Sequence, residues 1–254
     1  MDYTPLSAVI ITYNEANHIG ACITSLQGIA DEIVVVDSFS TDATPDICRQ
    51  MQVRFIQHPF EGYVEQKNFA LWQAKHHFIL SVDADEQLSE ELRQSILAVK
   101  QHKQYDAYYC NRLNNYCGKW IRHGAWYPDR KIRIWNRQIG KWGGNNPHDK
   151  VILQAGVKTG KLHGDLLHYT VTSIARHIGQ INKFTGIRAE DMYKRGVKPG
   201  FYHLYLKPMV SFIKSYLLKL GFLDGYYGFV ISLNSAYAVF LRYAKLKELW
   251  HKTP

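Results

Sequence analysis

The chain has no glycine-rich phosphate loop. Neither G-x-G-x-x-G nor a Walker-type lysine motif follows its first apolar run, which argues against dinucleotide and P-loop nucleotide binding. A nucleotidyltransferase would want a glycine- and lysine/arginine-rich loop there too, and Thr12–Gly20 lacks it. Cysteine is sparse. Cys22, Cys48, Cys110 and Cys117 show no zinc spacing and no tight pair, so reduced thiols in a reducing compartment are expected. Nucleic-acid motifs of the helix-turn-helix, zinc-finger or RNP type are missing, and no nucleic-acid partner is expected. No signal peptide is expected, because Met-Asp-Tyr-Thr-Pro leads straight into a strand. Tyr226–Leu241 holds no charge over 16 residues. That falls short of the roughly 20 residues a bilayer span needs.

Acidic residues are scarce at one end. Residues 1–175 carry 18 Lys/Arg and 18 Asp/Glu, whereas residues 176–254 carry 13 Lys/Arg against 4 Asp/Glu. The whole excess of +9 therefore lies in the last third, among Leu, Phe and Tyr. Basic residues mixed with apolar runs suit an anionic membrane surface. An apolar content of 46% over 254 residues is enough for one large core, or one core with an appendage.

What is present in the first half is a strand–helix alternation. Strands are expected at Leu6–Thr12, Glu32–Asp37, Val53–Gln57 and Phe78–Val82. Helices are expected to about Leu26, over Ala43–Met51, over Tyr63–Ala74 and over Glu90–Lys100. This order predicts an α/β fold with a mostly parallel, Rossmann-like sheet and helices on both faces. Further strands are expected at Tyr108–Asn114, Lys131–Trp135, Val151–Leu153 and Leu166–Tyr169, with Tyr116–Arg130 and Gly140–Asp149 as loops. Beyond Val171 the chain reads as helical: Thr172 or Ser173 can cap a helix to about Lys194, Leu204–Leu220 is amphipathic, and Gly221–Gly225 is a break. The C-terminal helices read as a pair lying in the membrane plane, or as a helix packed on the domain or in a dimer.

Phe78–Glu86 carries the most chemistry. A buried type of strand ends in Asp83 and Asp85, where open α/β sheets place their ligands. Two such acids call for positive charge between them, and a hard divalent cation, Mg²⁺ or Mn²⁺, is the natural candidate. Tyr13, Glu15 and Asp37 stand at the ends of the first two strands. A ring and a carboxylate there can stack on a nucleobase and accept from its N–H.

Four motifs occur in order: Ala-Val-Ile-Ile-Thr-Tyr-Asn-Glu (8–15), Glu-Ile-Val-Val-Val-Asp-Ser-Phe-Ser-Thr-Asp (32–42), Gln-Lys-Asn-Phe-Ala (66–70) and Val-Asp-Ala-Asp-Glu (82–86). They resemble family 2 glycosyltransferases of the GT-A fold. Residues 126–137, Pro147–His148–Asp149 and Leu167–His168–Tyr169 further resemble the bacterial subgroup that adds β-linked glucose to lipopolysaccharide inner core.

The resemblance implies a GT-A domain over 1–170, with a nucleotide-sugar half (1–90) and an acceptor half (100–170), followed by a helical extension over 171–254. It implies a UDP-sugar donor and a metal cofactor. Tyr13 and Asp37 would sit at the nucleobase and Asp83 near the ribose or metal. Asp85 would ligate the metal, and Lys67 and Asn68 would line the donor pocket. His168 would complete the metal sphere or meet the diphosphate, unless it is a satisfied core histidine. Family members invert the anomeric centre, which needs a general base. Asp149 is the candidate, ahead of Asp129 and Asp165. Trp120, Trp126 and Tyr127 can stack on sugar faces, and Arg130 and Arg133 can meet phosphate or an anionic acceptor. Strand alternation puts Arg133 on the face of Lys131 and Trp135, so the two arginines are not expected to act together.

A lipid-linked, negatively charged glycan is the acceptor these features imply, at the cytoplasmic face of the membrane, with a homodimer possible. The rivals are a polyprenyl-phosphate glycosyltransferase on the same fold and a non-catalytic sugar-binding scaffold.

Overall fold

The computed structural model describes residues 3–145 and 148–252. Its first stretch alternates β1 (Leu6–Thr12), α1 (Ile19–Leu26), β2 (Glu32–Asp37), α2 (Thr44–Gln50), β3 (Arg54–Gln57), α3 (Tyr63–Gln73) and β4 (Phe78–Asp83). Next come β5 (Glu86–Leu88), α4 (Glu90–Gln101), β6 (Ala107–Tyr116), β7 (Lys119–Ile121), β8 (Asp129–Asn136), β9 (Gly140–Asn145), β10 (His148–Leu153) and β11 (Thr159–Val171). The chain ends in helices α5 (Ile174–Lys194), α6 (Lys207–Ile213) and α7 (Gly225–Lys252).

The chain divides into two compact units. One is built from the chain up to Arg112 together with Asp129–His168; the other is Leu113–Pro128 with everything from Tyr169 onward. In the first unit the strand order is β3-β2-β1-β4-β8-β6-β11-β5. The β1–β2, β1–β4 and β2–β3 pairs are parallel, whereas β4–β8, β8–β6 and β11–β5 are antiparallel. The doubly wound part thus reaches as far as β4, and the remainder is an antiparallel extension.

Both faces of the parallel part are covered, which is why its strands read as continuous apolar runs. Leu6, Ala8 and Ile10 of β1, Val35 of β2 and Leu80 and Val82 of β4 pack with Ile19 and Ile23 of α1 and Leu92 and Ile96 of α4. The alternate residues Val9, Val34, Val36 and Ile79 pack with Ala70 and Leu71 of α3 and with Trp135 and Trp142. Ser89 caps α4 by accepting from the Leu92 N–H at 3.2 Å.

Three expectations are corrected. The expected loop Gly140–Asp149 instead holds β9 and the start of β10, which pair as an antiparallel hairpin, with Trp142 opposite Val151 and Gly144 opposite Asp149. Its glycines make room for the partner strand: a Cβ on Gly143 would lie 2.5 Å from Ile152 Cδ1, and one on Gly140 would lie 2.6 Å from Leu153 Cδ2. Asn146 and Pro147 lie outside the described residues, so the Pro147–His148–Asp149 motif is only partly described. Tyr116–Arg130 also contains β7, which pairs with β6 across a turn at Cys117 and Gly118, both with positive φ (51° and 88°).

The third correction is a β-bulge. Tyr108 pairs with Ile134 but Tyr109 pairs with Ile132, leaving Arg133 as an extra residue in β8. The bulge breaks the alternation that separated the two arginines, and Arg130 and Arg133 line one cavity together with Lys131 and Ile132 between them.

The second unit has its own small cores. Tyr116, Ile121, Val171 and Ile231 form one, and Ala189, Leu204, Tyr243 and Leu246 form another. Ser173 caps α5 through the Arg176 N–H at 3.2 Å. Turns of π geometry, Tyr202–Leu206 and Lys214–Leu218, flank α6, and a 3₁₀ turn at Gly221–Asp224 leads into α7.

Candidate active site

The ends of β1 and β2 are laced into one loop structure. The Asn14 N–H donates to Ser40 Oγ at 2.8 Å, and Asn14 Oδ1 accepts from the Thr41 N–H at 2.8 Å. The Glu15 N–H donates to Thr44 Oγ1 at 2.9 Å. Asp37 is buried, and its carboxylate accepts from the Ser40 N–H at 2.9 Å, the Ser40 hydroxyl and Gln57 Nε2 at 3.3 Å. Those bonds shape the loop beside Tyr13, whose ring is 58% exposed. Gln66, at the start of the Gln-Lys-Asn motif, donates to Ser38 Oγ at 3.0 Å and so ties α3 to the end of β2.

Lys67 is the centre of the site. It is 6% exposed, and its Nζ lies 3.0 Å from Asp83 Oδ1 and 2.8 Å from Asp149 Oδ2. It also sits 4.3 Å above the Trp142 ring, a cation–π contact. Asn68 fixes that ring by a reciprocal pair of bonds to the Trp142 backbone, at 2.9 and 3.0 Å. The hairpin β9–β10 is thereby clamped to α3, and Asp149 is brought to the tip of β4.

Arg133 closes the cluster from β8. Its Nη2 lies 3.4 Å from Asp83 Oδ2 and bonds the buried Glu86 carboxylate. Glu86 also accepts from the Asp83 N–H at 2.9 Å, and Arg112 approaches it at 3.5 Å while holding Asp129 at 2.8 Å. Burial alone would push the Asp83 carboxyl up. The Lys67 and Arg133 charges outweigh it and hold Asp83 well below the usual carboxylate range. Burial likewise opposes charge on Lys67, but Asp83 and Asp149 raise its pKa above the ordinary lysine value.

Lys67, Asp83, Arg112, Arg133, Trp142 and Asp149 line a cavity of about 470 Å³, together with Arg130, Lys131 and Lys150. Lys131 is paired with Asp129 at 3.1 Å. Arg130 and Lys150 have no acidic partner among the described residues. Among the described residues, two buried donors, Arg133 Nε and Trp142 Nε1, have no hydrogen-bond partner. Such a site favours a ligand rich in oxygen and negative charge.

Residues 7–162 match the model of glycosyl transferase family 2. The chain belongs to that family.

Curated relatives of this family 2 glycosyltransferase include an "uncharacterized glycosyltransferase" of Rickettsia bellii, 36% identical over 96% of this chain and 86% of the relative. A lipopolysaccharide core biosynthesis glycosyltransferase, LpsC, of Rhizobium meliloti is 30% identical over 96% of this chain and 92% of its own. Among solved structures, S. aureus TarS 1-349 in complex with UDP is 16% identical, with a TM-score of 0.48 over 99% of this chain and 92% of the other.

The glycosyltransferase does not assemble the three-ligand metal set Asp83, Asp85 and His168. Among the described residues no three His, Cys, Asp or Glu side chains gather for a metal. Asp83 is turned to Lys67 and Arg133, whereas Asp85 Oδ2 faces His168 Nε2 at 3.3 Å. The Asp85–His168 pair fits a divalent cation as two of the six or so donors it takes, the others coming from a bound oxyanion or water.

Trp120, Trp126 and Tyr127 belong to the second unit. Trp126 packs edge-on to Tyr116 and His177 at 5.5 and 5.4 Å, and Trp120 meets Tyr169 at 5.2 Å. Glu86, Arg112, Trp142 and Lys150 were not singled out by the sequence reading. Glu86 stood inside the Val-Asp-Ala-Asp-Glu motif, but nothing local shows a glutamate to be buried. Trp142 stood in the stretch that read as a loop and Lys150 just beyond it; both reach the site through the β9–β10 pairing.

Proposed function

We propose that this enzyme transfers a hexose, with glucose the first candidate, from a UDP-sugar to a hydroxyl of a lipid-linked, anionic glycan such as lipopolysaccharide inner core, with inversion at C1. The single observation that carries the chemistry is the Lys67-centred cluster, which brings Asp149 and Asp83 together at the wall of a cationic cavity. The similarity to LpsC along nearly the full chain supports the acceptor class. A polyprenyl-phosphate acceptor is the second reading, favoured by the same cationic wall.

Tyr13 offers its exposed ring to the base, and the loop built on Asp37 sets its position. Asp149 takes the proton from the acceptor hydroxyl, which attacks C1 from the face opposite the leaving group. Lys67 keeps one oxygen of that carboxylate fixed at 2.8 Å, so that its direction is set before substrate arrives. Asp85 and His168 would hold Mg²⁺ or Mn²⁺, which when bound supplies positive charge to the departing diphosphate. Arg130 and Lys150 stand where a charged substrate group would be held. Residues 1–170 carry the chemistry in this reading, and 171–254 serve the acceptor side at the cytoplasmic face of the membrane.

The test is UDP release from a panel of UDP- and GDP-sugars with Mn²⁺, Mg²⁺ or EDTA, in wild type, Asp85→Ala and Asp149→Asn. Metal-dependent release of UDP from one sugar is expected, abolished in Asp85→Ala. In Asp149→Asn transfer to acceptor should fall by about 10²–10⁴-fold. Absence of both turnover and nucleotide binding across the panel would overturn the reading and favour a scaffold.

A further inference from the structure

We propose that the helical hairpin formed by α6, its flanking turns and the first half of α7 is a docking surface for an anionic lipid bilayer, and lies in the plane of the membrane. The proposal deepens the membrane placement given above and rests on that reading, but its observations come from the second unit alone.

The two helices run antiparallel and are fastened on one side. Ser215 and Ser232 hydroxyls meet at 2.9 Å, Lys207 Nζ donates to the Tyr243 hydroxyl at 2.7 Å, and Phe212 and Tyr216 meet Phe229 at 5.9 and 5.7 Å. The other side is left in water. Leu206, Met209, Val210, Ile213 and Leu217 are exposed at helical spacing on the first helix. Tyr226, Leu233, Tyr237 and Phe240 repeat the pattern on α7, and Phe229, at the seam, keeps part of its ring exposed. Phe222 and Leu223 are exposed at the tip between them. Among the described residues, 17 of the 28 large exposed hydrophobics lie between Phe201 and Phe240. Exposed apolar side chains concentrated in this way mark an interface.

Charge selects the occupant. Residues 198–223 hold no Asp or Glu, and Lys214 and Lys219 stand exposed among the apolar side chains. A second copy docked about a two-fold axis would set this basic patch against itself. A bilayer with anionic headgroups takes the apolar side chains into the acyl boundary while lysines stay at headgroup level. No helix among the described residues is long and apolar enough to cross a membrane, so the contact is in-plane.

The test is flotation of the full chain with vesicles of phosphatidylcholine alone or with one-third phosphatidylglycerol, at low and high salt. Two variants accompany it: Lys214→Ser/Lys219→Ser, and Met209→Ser/Ile213→Ser/Leu217→Ser, with circular dichroism as the check that each folds. Wild type is expected to float with the anionic vesicles and to be released by salt. The lysine variant should bind about 25-fold more weakly, about fivefold for each lysine, and the serine triple variant should stay unbound. Wild type that ignores anionic vesicles overturns the proposal. So does a concentration-dependent dimer by light scattering that the triple variant abolishes without any vesicle binding, which would assign the face to a second copy. Neither outcome touches the donor assay, so failure here is separable from failure of the transfer reading.

Discussion

Glu86 is the strongest point at which to test the buried charge network. Its carboxylate is fully buried, holds the Arg133 guanidinium and accepts from the Asp83 N–H at 2.9 Å. Glu86→Gln keeps the shape and an acceptor but removes the charge. Arg133, itself buried, is then left with Asp83 at 3.4 Å as its remaining acidic partner. Removing one member of a buried ion pair costs about 3–5 kcal/mol, and the retained acceptor places this variant near about 3 kcal/mol. For a unit of this size that is about 6–12 °C in Tm. Arg133→Met should cost at least as much, since it strands Glu86 with only Arg112 at 3.5 Å. The double variant should cost less than the two singles together by at least about 1 kcal/mol, because the stranded charge is gone. Urea unfolding of the four proteins measures the cycle. A Glu86→Gln cost below about 1 kcal/mol, or strict additivity, would refute the claim that this pair organises the site.

Three further outcomes follow from the same structure. Asp83 has a folded pKa below its unfolded value of about 3.9, so its stabilising contribution is complete above that pH and is lost as pH falls further; urea midpoints at pH 5 and pH 3 should fall less steeply in Asp83→Asn. Burial lifts the Cys110 thiol to about 12 and the Cys48 thiol to about 11, and Cys22 is raised too, so a thiol reagent should label only the partly exposed Cys117 in the native protein and all four cysteines after denaturation. Gly164 has φ +83°, and a Cβ there would lie 2.3 Å from the Leu92 backbone nitrogen, so Gly164→Ala should cost at least about 2 kcal/mol by denaturant titration, whereas Gly156→Ala, at a similar φ in open space, should cost less.

Much of the first unit was legible because its strands are buried on both faces. Leu6–Thr12 and Glu32–Asp37 fall at the boundaries read from their apolar runs, and α3 and α4 lie within a residue of theirs. The hairpin β9–β10 was not legible. Its glycines serve close approach to Ile152 and Leu153, whereas glycine in a sequence reads first as a turn. The facing of Arg130 and Arg133 was misread for a related reason: strict alternation holds only in an unbroken ladder, and the bulge at Arg133 breaks it.

By itself the sequence determined the α/β class, the family and the acidic tip of β4, because burial patterns and motif order are local properties of the chain. Tertiary structure alone decided what stands between the acids. Lys67 and Asp149 are 82 residues apart, and Arg133 and Glu86 are 47 apart, so no spacing along the chain announces either pair. It is the docking of α3 under the hairpin and the bulge in β8 that turn isolated charges into one compensated cluster. A buried charge is tolerable only where its partner arrives through the fold.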